Sequence, residues 1–247
     1  MTHTLAGQSV LITGGARRLG AAMARALHAA GANVLIHHLT STREAAMLVE
    51  ELNQSRAASA RLVQADLLDV ACLPGLIESA VGHFGRLDIL INNASTFYPT
   101  PIGDIGSRQF EDLIGTNFRA PLFLAQAAAP QLRRRRGLIL NMVDIHGMKP
   151  LKNYPAYSSA KAALIMLTRA LARELAPEVR VNGIAPGPVM WPADVDAAMQ
   201  AQIIEKTLLK RSGEPQDIGN AALYFATMAP YVTGQILAVD GGRSQCG

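Results

Sequence analysis

Short apolar runs alternate along the chain with longer stretches of helical period. Residues 9–13 (SVLIT), 33–38 (NVLIHH), 60–67 (ARLVQADL), 87–95 (LDILINNAS), 137–143 (GLILNMV), 179–187 (VRVNGIAPG) and 235–242 (QILAVDGG) are rich in Val, Ile and Leu and short enough to be buried strands. Between them, apolar residues return every three to four positions, the spacing of one helical face. This predicts helices over 18–32, ending near Gly31, over 42–54 with Glu44, Glu50 and Glu51 on the polar side, and over 73–85, 155–176 and 214–227. Residues 107–133 read as one long helix, with Pro121 as a place where it bends.

Strands almost continuous in aliphatic residues imply a sheet covered on both faces. Strictly alternating strand and helix implies parallel strands joined by right-handed crossovers. The predicted fold class is α/β: a single-domain, Rossmann-type doubly wound parallel sheet of about seven strands over residues 1–247, with its ligand site beyond the carboxyl ends of the strands. The Pro-rich segment 186–195 (PGPVMWPADV) reads as a candidate mobile lid, within a substrate loop near 186–206.

Composition narrows the classes. With 49% hydrophobic and 17% charged residues, the chain reads as globular. The net charge of +4 is a mild excess that suits anionic ligands such as phosphates. Its one basic cluster, Arg133 to Arg136, falls at the end of a predicted helix, where cations suit the dipole, and no groove-reading motif accompanies it, so no nucleic-acid partner is expected. Two cysteines, Cys72 and Cys246, suggest neither a disulfide framework nor a metal site. No apolar stretch is long enough to span a membrane and no secretory signal is visible, so the expected location is cytoplasmic.

The candidate chemistry sits at the predicted strand ends. TGGARRLG (13–20) joins the first strand to the first helix, where glycines let a backbone approach a pyrophosphate and a helix N-terminus attracts it; Arg17 and Arg18 add fixed positive charge. The second strand ends in HHLTS without the acid that grips the ribose hydroxyls of NAD; His37, His38, Thr40 and Ser41 can hydrogen-bond a 2′-phosphate, which favours NADP(H). In YSSAK, Tyr157 and Lys161 are four apart, one turn of a helix on one face. A lysine ammonium near a phenol lowers the phenol's pKa, which makes Tyr157 a candidate proton donor.

TGGARRLG, ADL (65–67), NNAS (92–95), GTN (115–117), YSSAK, APGPV (185–189) and the terminal VDGG occur in an order that resembles the short-chain dehydrogenase/reductase family over essentially the whole chain. The resemblance implies an oxidoreductase with NADPH as cofactor. It implies Tyr157 as catalytic acid, Lys161 lowering its pKa and holding the nicotinamide ribose, and Asn117 supporting a proton-relay water. The implied cofactor site comprises Gly14, Arg17, Arg18, Leu19 and Gly20 in the first turn, and His38, Thr40 and Ser41 after the second strand. Asp66 and Leu67 stand at the adenine, Asn93, Ala94 and Ser95 after the fourth strand, and Pro186, Gly187 and Val189 at the nicotinamide. Thr40 stands where better-known members carry an arginine. Relatives are usually homotetramers, and the apolar-faced helices at 107–133 and 155–176 could bury against copies of themselves.

Most of the family has a serine where this chain has Asp144. The substitution, together with Arg18 in place of a glycine, NMVD (141–144) and NNASTFYPTP (92–101), resembles the pteridine reductase subfamily. That resemblance implies a dihydropterin substrate, with oxidised pterins and dihydrofolate as further candidates, stacked on Phe97 and held by Arg18, Ser95, Asp144 and Tyr157. His146 and Trp191 are further candidates for the substrate mouth. Other readings stay open: Asp144 as a turn residue, Phe97 as plain core, a reductase of a ketone or 3-oxoacyl thioester, and an inactive NADP(H)-binding regulatory protein.

Overall fold

The structure, a computed structural model, describes residues 4–191 and 195–246. Strand β1 (Ser9–Ile12) lies near the middle of a sheet. On one side of it run β2 (Asn33–His38) and β3 (Ala60–Gln64); on the other run β4 (Ile89–Asn92), β5 (Leu138–Met142), β6 (Arg180–Pro186) and β7 (Ile236–Val239). The order is β3-β2-β1-β4-β5-β6-β7, with every pair parallel. The chain winds outward from β1 in one direction and then returns to wind in the other. The crevice where the order reverses, at the carboxyl ends of β1 and β4, is where such a fold accepts ligands.

Alternate residues of each strand feed two cores. Val10, Ile12, Val34, Ile36, Ile89 and Ile91 pack with Met23 and Leu27 of α1 (Arg18–Ala29), Leu48 and Leu52 of α2 (Thr42–Ser55), and Ile218 and Phe225 of α8 (Pro215–Thr227). Leu11, Leu35, Leu90 and Ile139 face the other way, onto Leu73 and Leu76 of α3 (Leu73–Phe84), Leu124 and Leu132 of α5 (Ala120–Arg135), and Leu175 of α6 (Pro155–Leu175). Covering both faces is what makes the strands uniformly apolar.

The stretch expected as one bent helix is α4 (Ser107–Ile114), a π-helical turn (Gly115–Arg119) and α5 in continuous succession. The irregularity lies in that wide turn, ahead of Pro121, which has no N–H to return to the Asn117 carbonyl four residues earlier. Arg133, Arg134 and Arg135 close the last turn of α5, and Arg136 caps it with φ 52°, all exposed to solvent.

A buried polar chain locks α6 to the sheet. Asn92 Nδ2 donates to Asn141 Oδ1 (2.8 Å), Asn141 Nδ2 to Thr168 Oγ1 (2.9 Å), and that hydroxyl to the Leu164 carbonyl (2.8 Å). These bonds fix the register of the helix that carries Tyr157 and Lys161. Helix α7 (Ala197–Glu205) falls inside the stretch expected as a substrate loop, its first turn capped by Asp196. The candidate lid includes residues 192–194, which lie outside the described residues. Among the described residues no helix is long and apolar enough to cross a membrane, and no group of three or more His, Cys, Asp or Glu side chains could hold a metal.

Candidate functional site

The turn after β1 is built for close backbone approach. Gly14 has φ 58°, and a Cβ there would sit 2.9 Å from Ala94 Cα; at Gly20 it would meet the Gly14 carbonyl at 2.4 Å. Thr13 Oγ1 accepts from the N–H groups of Asn93 (2.9 Å) and Ala94 (3.0 Å), and Asn93 Nδ2 donates to the carbonyls of Thr13 and Gly14. The β1 turn and the end of β4 thus form one rigid unit. Arg18 adopts φ 52°, a left-handed conformation that costs a non-glycine residue about 1–2 kcal/mol. Its Nη2 donates to the Met190 carbonyl at 3.1 Å, joining this turn to the segment after β6.

The two histidines ending β2 divide the work. His37 Nδ1 accepts from the Gly14 N–H (3.1 Å) and Nε2 donates to the Ala65 carbonyl (3.1 Å), which fixes the tautomer. Burial pushes its pKa down to about 4, the Ala65 bond opposing. His37 is therefore a neutral wedge between three strand ends, and it is not free to bind a 2′-phosphate as the sequence suggested. His38 is only 2% exposed, yet neither of its ring nitrogens has a hydrogen-bond partner. It lines a cleft of about 410 Å³ together with Gly14, Arg17, Arg18, Leu19, Gly20, Thr40, Ser41, Asp66, Leu67, Asn93, Ala94 and Ser95. These are residues expected at the cofactor's adenosine and phosphates. A glycine cradle, two arginines and an orphaned buried imidazole suit a phosphorylated nucleotide.

Asp144 does two things at once. Its Oδ1 accepts from the His146 N–H (2.8 Å), the turn role, and its Oδ2 accepts from the Tyr157 hydroxyl at 2.7 Å. Burial, then the Asp144 charge and this hydrogen bond, raise the Tyr157 pKa well above its ordinary value, with Ser95 opposing weakly. The net direction is opposite to the one expected from Lys161 acting alone. Lys161 Nζ lies 5.7 Å from the Tyr157 ring centroid and donates instead to the Met142 carbonyl (2.9 Å), while the carboxylate is at hydrogen-bonding distance and dominates. Lys161 is 2% exposed, and burial lowers its pKa to about 8. The phenol is thus held as a neutral donor, hydrogen-bonded to a carboxylate.

Phe97 is 40% exposed, which removes the plain-core reading. It stacks on Tyr154 (centroids 4.6 Å apart, planes at 17°) and meets Tyr157 edge-on (4.8 Å, 79°). Asn117, fully buried on the π turn, donates to the Thr96 and Leu113 carbonyls (3.0 Å each) and accepts from the Ser95 hydroxyl (2.7 Å). Its side chain holds the loop leading to Phe97.

Not every expected residue joins this group. Val189, with Pro188, lines a separate cleft of about 480 Å³ alongside Leu208 and Arg211, and Gly187 packs so tightly on Asp240 that a Cβ would lie 2.6 Å from its Cα. Tyr157 and Lys161 stand outside the lining of the first cleft. Missing from the sequence reading were the His37 wedge, the Tyr154 stack and a hydrogen bond from Tyr98 to Asp112 (2.9 Å). A ring-bearing residue one to three positions from a named site residue was the available signal.

Comparison with known proteins decides the family. A family profile described as Enoyl-(Acyl carrier protein) reductase matches residues 14–244. Pteridine reductase 1 of Leishmania tarentolae is 36% identical, over 99% of this chain and 99% of its own length. The chain belongs to the short-chain dehydrogenase/reductase family. An uncharacterised oxidoreductase of Mycobacterium tuberculosis is 38% identical over 94% of this chain and 90% of its own length. The 3-oxoacyl-[acyl-carrier-protein] reductase FabG of Staphylococcus aureus is 33% identical over 95% of this chain and 97% of its own length. As a short-chain dehydrogenase/reductase the protein is an oxidoreductase, and members of this family bind nicotinamide cofactors, which the first cleft suits.

Proposed function

We propose that this oxidoreductase is an NADPH-dependent pteridine reductase, acting on dihydropterins and on related oxidised pterins or dihydrofolate. The observation that carries the reading is the 2.7 Å bond between Tyr157 and Asp144. An ionised carboxylate is an acceptor only, whereas a serine hydroxyl both donates and accepts. A carboxylate beside the acid therefore repels the lone pairs of a carbonyl oxygen and suits a ring that presents N–H groups. Reducing a ring C=N bond places hydride on carbon and a proton on nitrogen. NADPH supplies the hydride when bound. Tyr157 and Asp144 hold the proton between Oη and Oδ2 and pass it to the ring nitrogen, and Lys161 adds positive charge near the phenol. Phe97 offers a flat face for a planar heterocycle, while Arg18 and Ser95 supply hydrogen bonds at its edge.

Several further features support the finer reading. The end of β2 lacks an acid, and the orphaned imidazole of His38 with Thr40, Ser41 and Arg17 favours NADPH over NADH. The exposed apolar side chain of Met166 on α6 fits a homotetramer built through α5 and α6. We read the chain as one cytoplasmic domain.

The test is NADPH oxidation by the purified protein with dihydrobiopterin, dihydrofolate and a 3-oxoacyl thioester in parallel, alongside Tyr157→Phe and Asp144→Ser. Pterin turnover, lost in the first variant and badly reduced in the second, is the expected result. Turnover of the thioester alone would overturn the pteridine reading, and NADPH binding without turnover of any substrate would favour a regulatory protein.

A further inference from the structure

Resting on the pteridine reading, we propose that Tyr98, locked to Asp112, is a positioning residue that sets the stacking face of Phe97 and so the affinity for a flat heterocycle. Tyr98 turns inward beside Phe97 and packs against Leu113, Ala156 and Tyr157. Its hydroxyl donates to Asp112 Oδ2 on α4 at 2.9 Å and lies 3.2 Å from the Gln109 carbonyl. Burial and the Asp112 charge push this phenol up to about 12, so it remains a donor throughout the working range.

The strip around it is pinned at two further points. Asn117 Nδ2 holds the Thr96 carbonyl (3.0 Å), and the Thr100 N–H donates to the Asn153 carbonyl (2.7 Å). The middle point, nearest Phe97, is the Tyr98–Asp112 bond. Tyr154 covers one face of the Phe97 ring, so a planar ligand meets the opposite face, whose tilt follows the backbone between these anchors. Stacking depends steeply on that placement, because small misplacements of a bound ring degrade its presentation to the reacting groups. Tyr98 also packs on the small cluster that contains Tyr157.

The experiment is steady-state kinetics with dihydrobiopterin on Tyr98→Phe, Asp112→Leu, Asp112→Asn and the double variant Tyr98→Phe/Asp112→Leu. Loss of one hydrogen bond predicts about a tenfold rise in KM for dihydrobiopterin in Tyr98→Phe, with kcat and the KM for NADPH within about twofold. Asp112→Leu should match its rise in dihydrobiopterin KM, the NADPH criterion being read on Tyr98→Phe alone because Asp112 also lines the nucleotide cleft; the double variant should be no worse than either single, and Asp112→Asn, which keeps an acceptor oxygen, should recover most of the affinity. Calorimetric titration of dihydrobiopterin into the NADP+-saturated protein should rank the variants identically. An unchanged dihydrobiopterin KM in Tyr98→Phe, or a KM for NADPH that moves in step with it, overturns the inference and leaves the pteridine reading intact. Failure of the wild-type protein to bind or reduce dihydrobiopterin overturns both. If Tyr98→Phe fails to fold, the contrast between Asp112→Leu and Asp112→Asn decides.

Discussion

Asp144 uses one oxygen to close a turn and the other to hold Tyr157, so its replacement separates two effects. Asp144→Ser is expected to keep the turn, since serine also accepts from a nearby N–H, and to reverse the substrate preference. Pterin turnover should fall at least tenfold while ketone or thioester turnover rises, in the assay above. Tyr157→Phe should cost about 10²–10⁴-fold in kcat if, as proposed, the phenol is the proton donor. The buried lysine gives a pH test. Folded Lys161 releases its proton near pH 8, whereas the unfolded chain holds it to about 10.5, so between these values the unfolded state binds more protons and stability gains as pH rises. Below pH 8 the full cost of the buried charge is present. Lys161→Met should therefore raise Tm at pH 7, by on the order of 5 °C, while abolishing activity. That advantage should shrink as pH rises from about 8 towards 10.5, read by differential scanning calorimetry of the two proteins side by side. Wild-type activity that needs the ammonium should decline as pH rises through the same value.

At the scale of elements, the β1 turn is held by a neighbour rather than by its own residues. His37 accepts from the Gly14 N–H only while neutral. Its folded pKa of about 4 lies below the ordinary 6.5, so between these values the unfolded state takes up the proton first and stability drops as pH falls. Wild-type Tm should decline between pH 6.5 and 4 by more than that of His37→Gln, whose side chain does not titrate. The left-handed Arg18 makes a different prediction. Arg18→Gly relieves about 1–2 kcal/mol of backbone strain and adds unfolded-state freedom, so Tm should move little while KM for NADPH rises about tenfold. A large loss of Tm would mean that the bond to Met190 is structural. These elements were legible to different degrees. Helix α6 was plain because its apolar face repeats over 21 residues. The π turn was not, because Gly115, Thr116 and Asn117 carry no local signal for a wide turn, and its stability depends on Asn117 bonding across to Thr96.

For the whole molecule, the sheet order puts the glycine turn, His38, Asn93 and Ser95 at one crevice although they are spread over three strand ends. The opposite end carries the Arg133–Arg136 cluster at the close of α5, a solvated helix terminus as expected. Met166, 61% exposed in the middle of α6, would be covered if that helix packs against another copy. If α6 buries against another copy, light scattering should give a mass roughly four times that of the chain, and Met166→Glu should lower it while leaving the far-UV spectrum unchanged. A wild-type monomer would remove the tetramer from the reading.

What the sequence by itself determined is the part that repeats or must be local. Strand and helix periods dictate a parallel sheet covered on both faces, and Gly14, Gly20, Tyr157 and Lys161 occur at spacings with a mechanical meaning. Only the tertiary structure decided which charge governs Tyr157. Asp144 and Lys161 both lie within 13 residues of it in the chain, and sequence separation cannot say which head group is nearer. Folding brings the carboxylate to hydrogen-bonding distance and turns the ammonium to the Met142 carbonyl, and electrostatic interaction in a buried site depends on that distance above all.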